Sequence, residues 1–445
     1  MLKLKTVENK GWLPSSCFTR IVLCRLVLAA LTATCFFARE GLAQEKLYEP
    51  ADFDQVDFYL HTIDVGDLVY NNFGHTALRV HDRVQGSDII FNWGLFDFGE
   101  PLSFSFRFFK GLLKYKLGVY PHRVALQVYR AEERTVWEDK ILLSREQKKI
   151  LWERLRWNIR PENVYYNYQY FFDNCSTRPR DYFDEALGKQ LSDRFSAESS
   201  DLTFRDMVRS HYLSIPFIEL SLDILMNSRI DRVMTEWERM FLPATLRNNM
   251  LRAQNESGQP VLESRGTIVW FPSPAAAPLN GFGYLGLMAI ASMAPVTFSS
   301  IFRRRQSVSV ANRIFGLGLF FYGFYFATIG LLMVLSWIFS EHLDLHHNAN
   351  LWLFWPIDYI LLGFGAKVLV TGRLAMSDRF AAFIKWYSIA HLAGYFCLFA
   401  LRITGVVQQN VDRILLWGTL YFCILFLLLI RVSVQDRAKG GARVG

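Results

Sequence analysis

The sequence predicts an α+β domain outside the cytoplasm, followed by an all-α transmembrane bundle of five helices. Three observations lead to this prediction. A basic and then apolar segment at the N-terminus is typical of an export signal. A long polar region with both strand and helix patterns follows it. The chain then holds five apolar runs, each close to the ~20 residues that cross the hydrocarbon core of a bilayer.

The N-terminal segment, residues 1–44, is predicted to direct export. Four basic residues precede the apolar run 21–37, and a small-residue sequence follows it at 41–43. This order is typical of a secretory signal peptide. An uncleaved signal anchor is the alternative that the sequence leaves open.

The apolar runs define the rest of the domain organisation. The predicted spans are 281–301, 314–339, 351–370, 382–401 and 414–430. The resulting divisions are an extracytoplasmic domain (45–271), a Pro- and Ala-rich linker (272–280), a five-helix transmembrane domain (281–431) and a basic cytoplasmic tail (432–445).

The orientation follows from the distribution of basic residues. If the polar region is exported, the first span ends inside at the triplet 303–305, and the third ends inside at Arg373 and Arg379. The fifth span ends in the basic tail. Every inner segment is therefore rich in Arg or Lys, as the positive-inside rule requires. The His-rich loop 341–350 then lies on the outer side, with the polar domain.

The overall charge does not indicate a nucleic-acid partner. The chain has a net charge of +8, but residues 45–279 hold 29 basic and 33 acidic side chains, a net of −4. The remaining 210 residues hold 20 and 8. The positive charge therefore flanks apolar runs and forms no basic patch on the polar domain.

The cysteine count draws attention to one residue. Six cysteines are present, and Cys175 alone falls in the predicted exported domain. Exported proteins usually pair their cysteines in disulfides, so an unpaired one requires another explanation. Cys175 is either a buried core side chain or a reactive thiol.

The residues around Cys175 favour a reactive thiol. Polar residues flank it in the run 173–177, and a helix is predicted to begin there, with Pro179 in its first turn. The positive end of the helix dipole, together with Arg178 and Arg180, is expected to lower the pKa of the thiol. We therefore predict that Cys175 is a partly ionised nucleophile.

A nucleophilic cysteine needs a general base. The exported domain holds five histidines, at positions 61, 75, 81, 122 and 211. His75 begins a strand pattern beside Gly74, which leaves room next to the imidazole. His61 also falls in a strand pattern and is the alternative, or a buried core histidine. Asn92 in the following strand pattern is expected to orient the base. Together these residues form a papain-like half-site in permuted order.

Three motifs resemble the bacterial Lnb family of lipoprotein N-acyltransferases. They are Asp173-Asn174-Cys175-Ser176-Thr177-Arg178 with Arg180-Asp181, Gly74-His75-Thr76-Ala77, and Phe91-Asn92-Trp93-Gly94 with Phe96-Asp97-Phe98. The order of an exported domain before five membrane helices is similar to that family as well. More remotely, the polar domain resembles the permuted papain-like thiol enzymes that include lecithin:retinol acyltransferase.

The resemblance implies both a fold and an activity. The fold is a permuted, papain-like α+β domain, placed on the periplasmic side of the bacterial inner (cytoplasmic) membrane. The activity is transfer of a fatty acyl chain from a phospholipid donor, through a Cys175 thioester, to the α-amine of a diacylated lipoprotein acceptor. His75 acts as the base and Asn92 as the third member of the site. No cofactor and no metal are expected.

Five further residues are candidates for contact with a substrate. They are Asn174, Arg178, Arg180, His347 and Asn350. The two arginines suit a phosphate headgroup, or else they pair with neighbouring aspartates. The loop 341–350 is expected to have a structural or substrate-positioning role rather than to bind a metal. Asp358 and Lys367 are functional candidates because charge inside a span is costly.

Two other functions are compatible with the same sequence. The first is a membrane-anchored, papain-like amidase or peptidase of the cell wall, with the same Cys–His pair but a different acceptor. The second is a non-enzymatic membrane sensor in which Cys175 is simply buried. Five membrane helices are a large anchor for a wall hydrolase, so lipoprotein N-acylation is the preferred prediction.

Overall fold

The structure is a computed structural model. It describes residues 48–96, 106–107, 109–112, 114–302 and 305–441. Within the helices, the side chains of residues 296, 298–307, 417–421 and 435–441 are not described. The predicted export segment and residues 97–98 lie outside the described part. Residues 53–445 form one compact unit. The domain boundaries drawn from the sequence therefore stay predictions.

A seven-stranded antiparallel sheet dominates the first half of the described chain. Its strand order is β6-β4-β3-β2-β1-β5-β9, and each neighbouring pair is antiparallel. The bounds are β1 Val56–Ile63, β2 His75–Asp82, β3 Ser87–Leu95, β4 Lys114–Pro121, β5 Val136–Ile141, β6 Tyr165–Asn167 and β9 Leu262–Val269. A second sheet pairs β7 (Ser199–Thr203) with β8 (Val233–Thr235).

Eight helices accompany the sheets in this region of the described chain. They are α1 His122–Ala131, α2 Arg145–Asn158, α3 Thr177–Ala186, α4 Gln190–Phe195, α5 Phe204–His211, α6 Pro216–Leu225, α7 Glu236–Arg239 and α8 Pro243–Arg252. Helix α1 packs against β3 and β4, while α3 packs against β2 and α8 against β1. Helices on a predominantly antiparallel sheet are an α+β arrangement. The predicted mixture of strands and helices is confirmed; its papain-like character stays a prediction.

The central strand β1 is covered on both of its faces. Seven of the eight residues of β1 are buried. This explains why its sequence lacks the alternation of a half-exposed strand. Helix α2 begins with a capping box, in which Ser144 accepts from the Gln147 amide and the Gln147 side chain accepts from the Ser144 amide.

The second half of the described chain is helical. The long helices are α9 Gly281–Phe302, α10 Arg305–Phe339, α11 Tyr359–Thr371, α12 Asp378–Ile403 and α13 Asp412–Gly441. Among the described residues, two segments are long and apolar enough to cross a membrane, Val308–Phe339 and Asp378–Ile403. A third segment qualifies if two helices that meet at a bend, Leu343–Trp352 and Pro356–Thr371, count as one span. The number of five spans therefore stays a prediction.

The span predicted at 351–370 differs most from the structure. It is not one helix but a pair, Leu343–Trp352 and Pro356–Thr371, bent by 58°. The break has a local cause, because Pro356 lacks an amide hydrogen and Asp358 accepts from the Trp355 amide as a helix cap. An apolar run alone does not reveal such a break.

The helical half is joined to the sheet region through α6. Ser221 on this helix hydrogen-bonds Tyr325 of α10, with hydroxyl oxygens 2.7 Å apart. Glu219 accepts from the Gly281 amide at the start of α9 and pairs with Arg413 at 2.7 Å. Because Glu219 is fully buried, these bonds fix the sheet region against the apolar helices.

Candidate active site

Cys175 lies in the turn that begins α3. Asn174 holds this turn: its side-chain oxygen accepts from the Ser176 and Thr177 amides, and its amide group donates to the carbonyls of Tyr170 and Phe241. Asn174 is 4% exposed. These bonds favour a structural role for Asn174, which positions the thiol, over the substrate contact expected from the sequence.

His75 begins β2 and lies beside this turn. The neighbouring hydroxyls of Thr76 and Ser176 are 2.7 Å apart, which fixes the start of the strand to the start of the helix. A methyl group added at Gly94 would lie 3.9 Å from Cβ of Cys175 and 3.9 Å from Cε1 of His75. The thiol and the imidazole therefore border the same small space. The structure brings together the two residues that the sequence singled out.

Asn92 of β3 holds the imidazole. Its side-chain oxygen accepts from Nε2 of His75 at 2.6 Å. Its amide nitrogen donates to the hydroxyls of Tyr120 and Tyr129, at 2.6 and 3.3 Å, while its oxygen can only accept. His75 consequently carries its proton on Nε2, and Nδ1 keeps a lone pair that can accept a proton.

Burial keeps His75 neutral. Burial, with a smaller contribution from the positive charge of Arg134, lowers the pKa of the imidazole to about 4, against the opposing effect of the Asn92 hydrogen bond. The ring is thus unprotonated at neutral pH. A neutral imidazole is the form that a general base requires.

The expectation of an ionised thiol was wrong. Burial raises the pKa of Cys175 above its ordinary value and outweighs every group that lowers it. These groups include the backbone amides of Thr76 and Cys175 and the Ser176 hydroxyl. Arg178 and Arg180, which the sequence put forward, are not among the causes. Cys175 is 7% exposed and remains a thiol at neutral pH.

Tyrosines surround the thiol, and the sequence analysis gave them no role. The charge of a Cys175 thiolate would raise the pKa of Tyr115, Tyr166 and Tyr168, in addition to the larger effect of burial. Tyr115 and Tyr168 stack with ring centroids 4.3 Å apart. Their hydroxyls therefore stay protonated and can donate. The sequence signal that could have revealed these tyrosines is the aromatic run 165–172, just before Cys175.

Arg134 is a second residue that the sequence did not reveal. It is 3% exposed, and its charge lowers the pKa of both His75 and Cys175. Nε donates to the Asp64 carbonyl and Nη1 to the Asn71 side chain, while Nη2 is buried without a hydrogen-bond partner among the described residues. Arg134 thus fixes the loop leading to His75 and places a positive charge near the site.

The two arginines after Cys175 pair with aspartates. Arg178 makes two bonds to Asp173, at 2.6 and 2.8 Å, and lies over the ring of Tyr166. Arg180 contacts Asp181 at 2.7 Å. These pairs favour the structural alternative for both residues over a phosphate contact.

The outer loop is largely structural. Asn350 is fully buried and donates to the Ile224 carbonyl. His347 has a positive φ of 48° and lies against the ring of Trp337 at 4.6 Å between centroids. His346 contacts the Ser340 carbonyl. For Asn350 in particular, this favours a role in joining α6 to the loop over contact with a substrate.

The remaining candidates lie away from the thiol. Nε2 of His61 contacts Glu138 at 2.9 Å in the middle of the sheet, so His61 is not the base beside Cys175. Asp358 is fully buried and bonds to Tyr387 and His391. Lys367 donates to the Ala375 carbonyl.

The arrangement suits transfer of an acyl group to sulfur. A neutral imidazole borders the same space as a neutral thiol, so ionisation of the thiol must accompany transfer of its proton to a base such as the ring. The amides of Thr76 and Cys175 reach the sulfur and provide donors for negative charge that develops near it.

Comparison with protein families finds one match, to part of the chain. Residues 43–210 match the family model described as the Lnb N-terminal periplasmic domain. This range contains Cys175, His75, Asn92 and Arg134. No curated protein matches the chain. No solved structure matches it either.

Proposed function

The chain carries an Lnb-type periplasmic domain over residues 43–210, and on this premise we propose that it is a lipoprotein N-acyltransferase. The domain assignment and the apolar helices make it a membrane protein with a periplasmic N-terminal domain. The acyl donor is a membrane phospholipid, and the acceptor is the α-amine of a diacylated lipoprotein. The single observation that carries the proposal is the meeting of Cys175 and His75 at Gly94.

In the first half-reaction, Cys175 attacks the ester carbonyl of the phospholipid. His75 takes the thiol proton on Nδ1 as the carbon–sulfur bond forms, because the buried thiol is not ionised beforehand. The protonated ring then gives this proton to the glycerol oxygen as the carbon–oxygen bond breaks. Lysophospholipid leaves, and the acyl chain remains on sulfur as a thioester.

In the second half-reaction, the lipoprotein amine attacks the thioester carbonyl. His75 takes a proton from the amine and returns it to the departing sulfur, so the thiol is restored. The product is an amide, and no nucleotide is consumed because the amide is more stable than the ester from which the chain came. Asn92 keeps the imidazole oriented through both steps.

An apolar cavity near the outer end of α10 suits the acyl chains of both substrates. Its volume is about 660 Å³, within the range of small-molecule sites. Its lining is formed by Phe106, Phe109, Leu222, Leu225, Leu332, Leu335, Ser336, Phe339, His342 and Leu345. The lining joins α6, the end of α10 and the segment that precedes β4.

That segment also relates the cavity to the thiol. Ser340 and Glu341, just after α10, bond to the carbonyls of Phe109 and Lys110. Five residues after Lys110, the chain reaches Tyr115 beside Cys175. A lipid with its chains between these elements and its ester toward Tyr115 would present the reacting carbonyl to the thiol.

The test is the N-terminal acylation state of a reporter lipoprotein. In cells that have this protein as their sole candidate enzyme, mass spectrometry of the reporter should show a third acyl chain with the unaltered protein. Cys175→Ala should remove that chain, and Cys397→Ala, a cysteine on α12 far along the chain, should not.

Unchanged triacylation with Cys175→Ala would contradict the proposal. Cleavage of peptidoglycan by the purified protein, without any change to the lipoprotein, would instead identify a cell-wall amidase. Equal abundance of both variants in the membrane fraction is the necessary control.

A further inference from the structure

A buried polar cluster lies beneath helix α1, apart from the thiol. It consists of His61 on β1, His122 at the start of α1 and Glu138 on β5, which are 0%, 8% and 9% exposed. One ligand atom from each lies within 4.8 Å of the other two. The acyl-transfer mechanism uses none of these residues.

Each histidine in the cluster has one nitrogen engaged and one free. Nε2 of His61 donates to Glu138 at 2.9 Å, and Nδ1 of His122 donates to Asp88 at 3.3 Å. The other nitrogens, Nδ1 of His61 and Nε2 of His122, are buried without a hydrogen-bond partner among the described residues. Two buried imidazole nitrogens without a partner, within one cluster, are unusual in a protein interior.

The local charge favours a cation. Glu138 and Asp88 place two carboxylates beside the two imidazoles, and Arg79 donates to both of them. A single guanidinium thus faces two carboxylates, so a further cation would complete the charge balance of the cluster.

We propose that His61, His122 and Glu138 bind a transition-metal ion of the zinc class, with Asp88 holding Nδ1 of His122. A carboxylate that fixes the tautomer of a ligating histidine is the usual support of such a site. Ligand atoms bonded to one zinc ion at about 2.0–2.1 Å lie within about 4.2 Å of each other. The three ligand atoms lie within 4.8 Å of one another, so small rotations of these side chains would close the spacing.

This site departs from the expectation of no metal. His61 and His122 stand on different elements, 61 positions apart, and no ligand spacing connects them along the chain. A metal here would fix the start of α1 against the sheet. The same helix carries Tyr129, which contacts Asn92 at 3.3 Å. The site would therefore stabilise the support of His75 without touching the reacting groups.

The test is zinc binding by the full-length protein in detergent micelles. After removal of metals with a chelator, titration with Zn²⁺ alone should give one ion per chain by elemental mass spectrometry. His61→Gln and His122→Gln should each weaken binding by at least about tenfold. His81→Gln, on the neighbouring strand β2, should leave it unchanged. Cys175→Ala should also leave it unchanged, which separates the cluster from the thiol.

A measurement on the unaltered protein covers the case in which the histidine variants fail to fold. Zinc X-ray absorption of the loaded protein should show imidazole scattering and no sulfur. The proposal is overturned if the protein retains no zinc at micromolar concentration. It is also overturned if sulfur scattering appears, or if the double variant His61→Gln/His122→Gln folds and still binds one ion.

Discussion

Two histidines, His75 and His391, are hydrogen-bonded to side-chain oxygens in similar ways. Nε2 of His75 bonds to Asn92 at 2.6 Å, and Nε2 of His391 bonds to Asp358 at 2.9 Å. Their surroundings differ. His75 borders the space at Gly94 and is partly exposed, whereas His391 is 2% exposed and stacks on Trp355 at 3.9 Å between centroids.

The difference shows that burial and an oxygen partner do not by themselves make a reactive histidine. His75 has a nucleophile beside it and open space where a carbonyl can enter. His391 lies between the rings of Trp355 and Phe426, and its oxygen partner also binds Tyr387. The first pair is arranged for chemistry, while the second joins α12 to the break before α11. An intramembrane carboxylate is often functional, but here it has a structural explanation.

The strongest test of this comparison substitutes the two histidines in parallel. His75→Gln removes the general base and should lower acyl transfer by about 10²–10⁴-fold with little loss of stability. His391→Gln should leave the rate of the folded protein unchanged and lower its stability by about 1–3 kcal/mol, since a buried partner of Asp358 is lost. Purified protein in micelles supplies both rates and thermal midpoints. Equal rate losses in the two variants would refute the distinction.

Asn92 offers a test of orientation alone. Asn92→Ala removes the oxygen that holds Nε2 of His75 and frees the ring to rotate. We expect the rate constant kcat to fall by about 10–100-fold, with the apparent affinity for lipid nearly unchanged. Steady-state kinetics with vesicles of defined phospholipid separate the two parameters. A change confined to lipid affinity would place Asn92 in substrate binding instead.

The pH profile is the next test, because it reports the protonation of His75. Its pKa of about 4 predicts that activity persists to about pH 5 and falls only below that value. The same shift affects stability. Unfolded chains bind a proton to this ring from about pH 6.5 downward, so the contribution of His75 to stability falls as the pH drops from there toward 4. If activity already fell with decreasing pH at pH 6.5 or above, the acidic limb of the profile would contradict a base that is neutral at these pH values.

Arg134 is expected to have the smallest effect, a displacement of that profile. Arg134→Gln removes a positive charge that lowers the pKa of both His75 and Cys175. The acidic limb should move to higher pH, and alkylation of Cys175 by iodoacetamide should become slower at a fixed pH. Arg134→Lys keeps the charge and is the matched control. If Arg134→Gln and Arg134→Lys shift the acidic limb equally, the cause is the loss of the hydrogen bonds to Asp64 and Asn71, and not the loss of charge.

Much of the fold near the site followed from local patterns. The strand around His61, the start of β2 at His75 and the helix after Cys175 all occur as predicted, because alternation, glycine and proline act on their immediate neighbours. The pairing of His75 with Asn92 also followed, since consecutive strands usually lie side by side.

The errors concern quantities that depend on the whole fold. The pKa of Cys175 is set mainly by burial, which no neighbour in the sequence reveals, and the arginines beside it are occupied by aspartates. Arg134 reaches the site only because β5 lies beside β1. The break before α11 depends on a cap by Asp358 within an apolar run.

The most direct measurement of the central claim is the intact mass of the full-length protein after incubation with phospholipid vesicles and no acceptor. If Cys175 carries the acyl chain as a thioester, the experiment should show a hydroxylamine-sensitive acyl adduct on Cys175, the release of one lysophospholipid per chain, and loss of the adduct when a diacylated lipopeptide is added. The absence of an adduct, or an adduct that persists in Cys175→Ala, would contradict it.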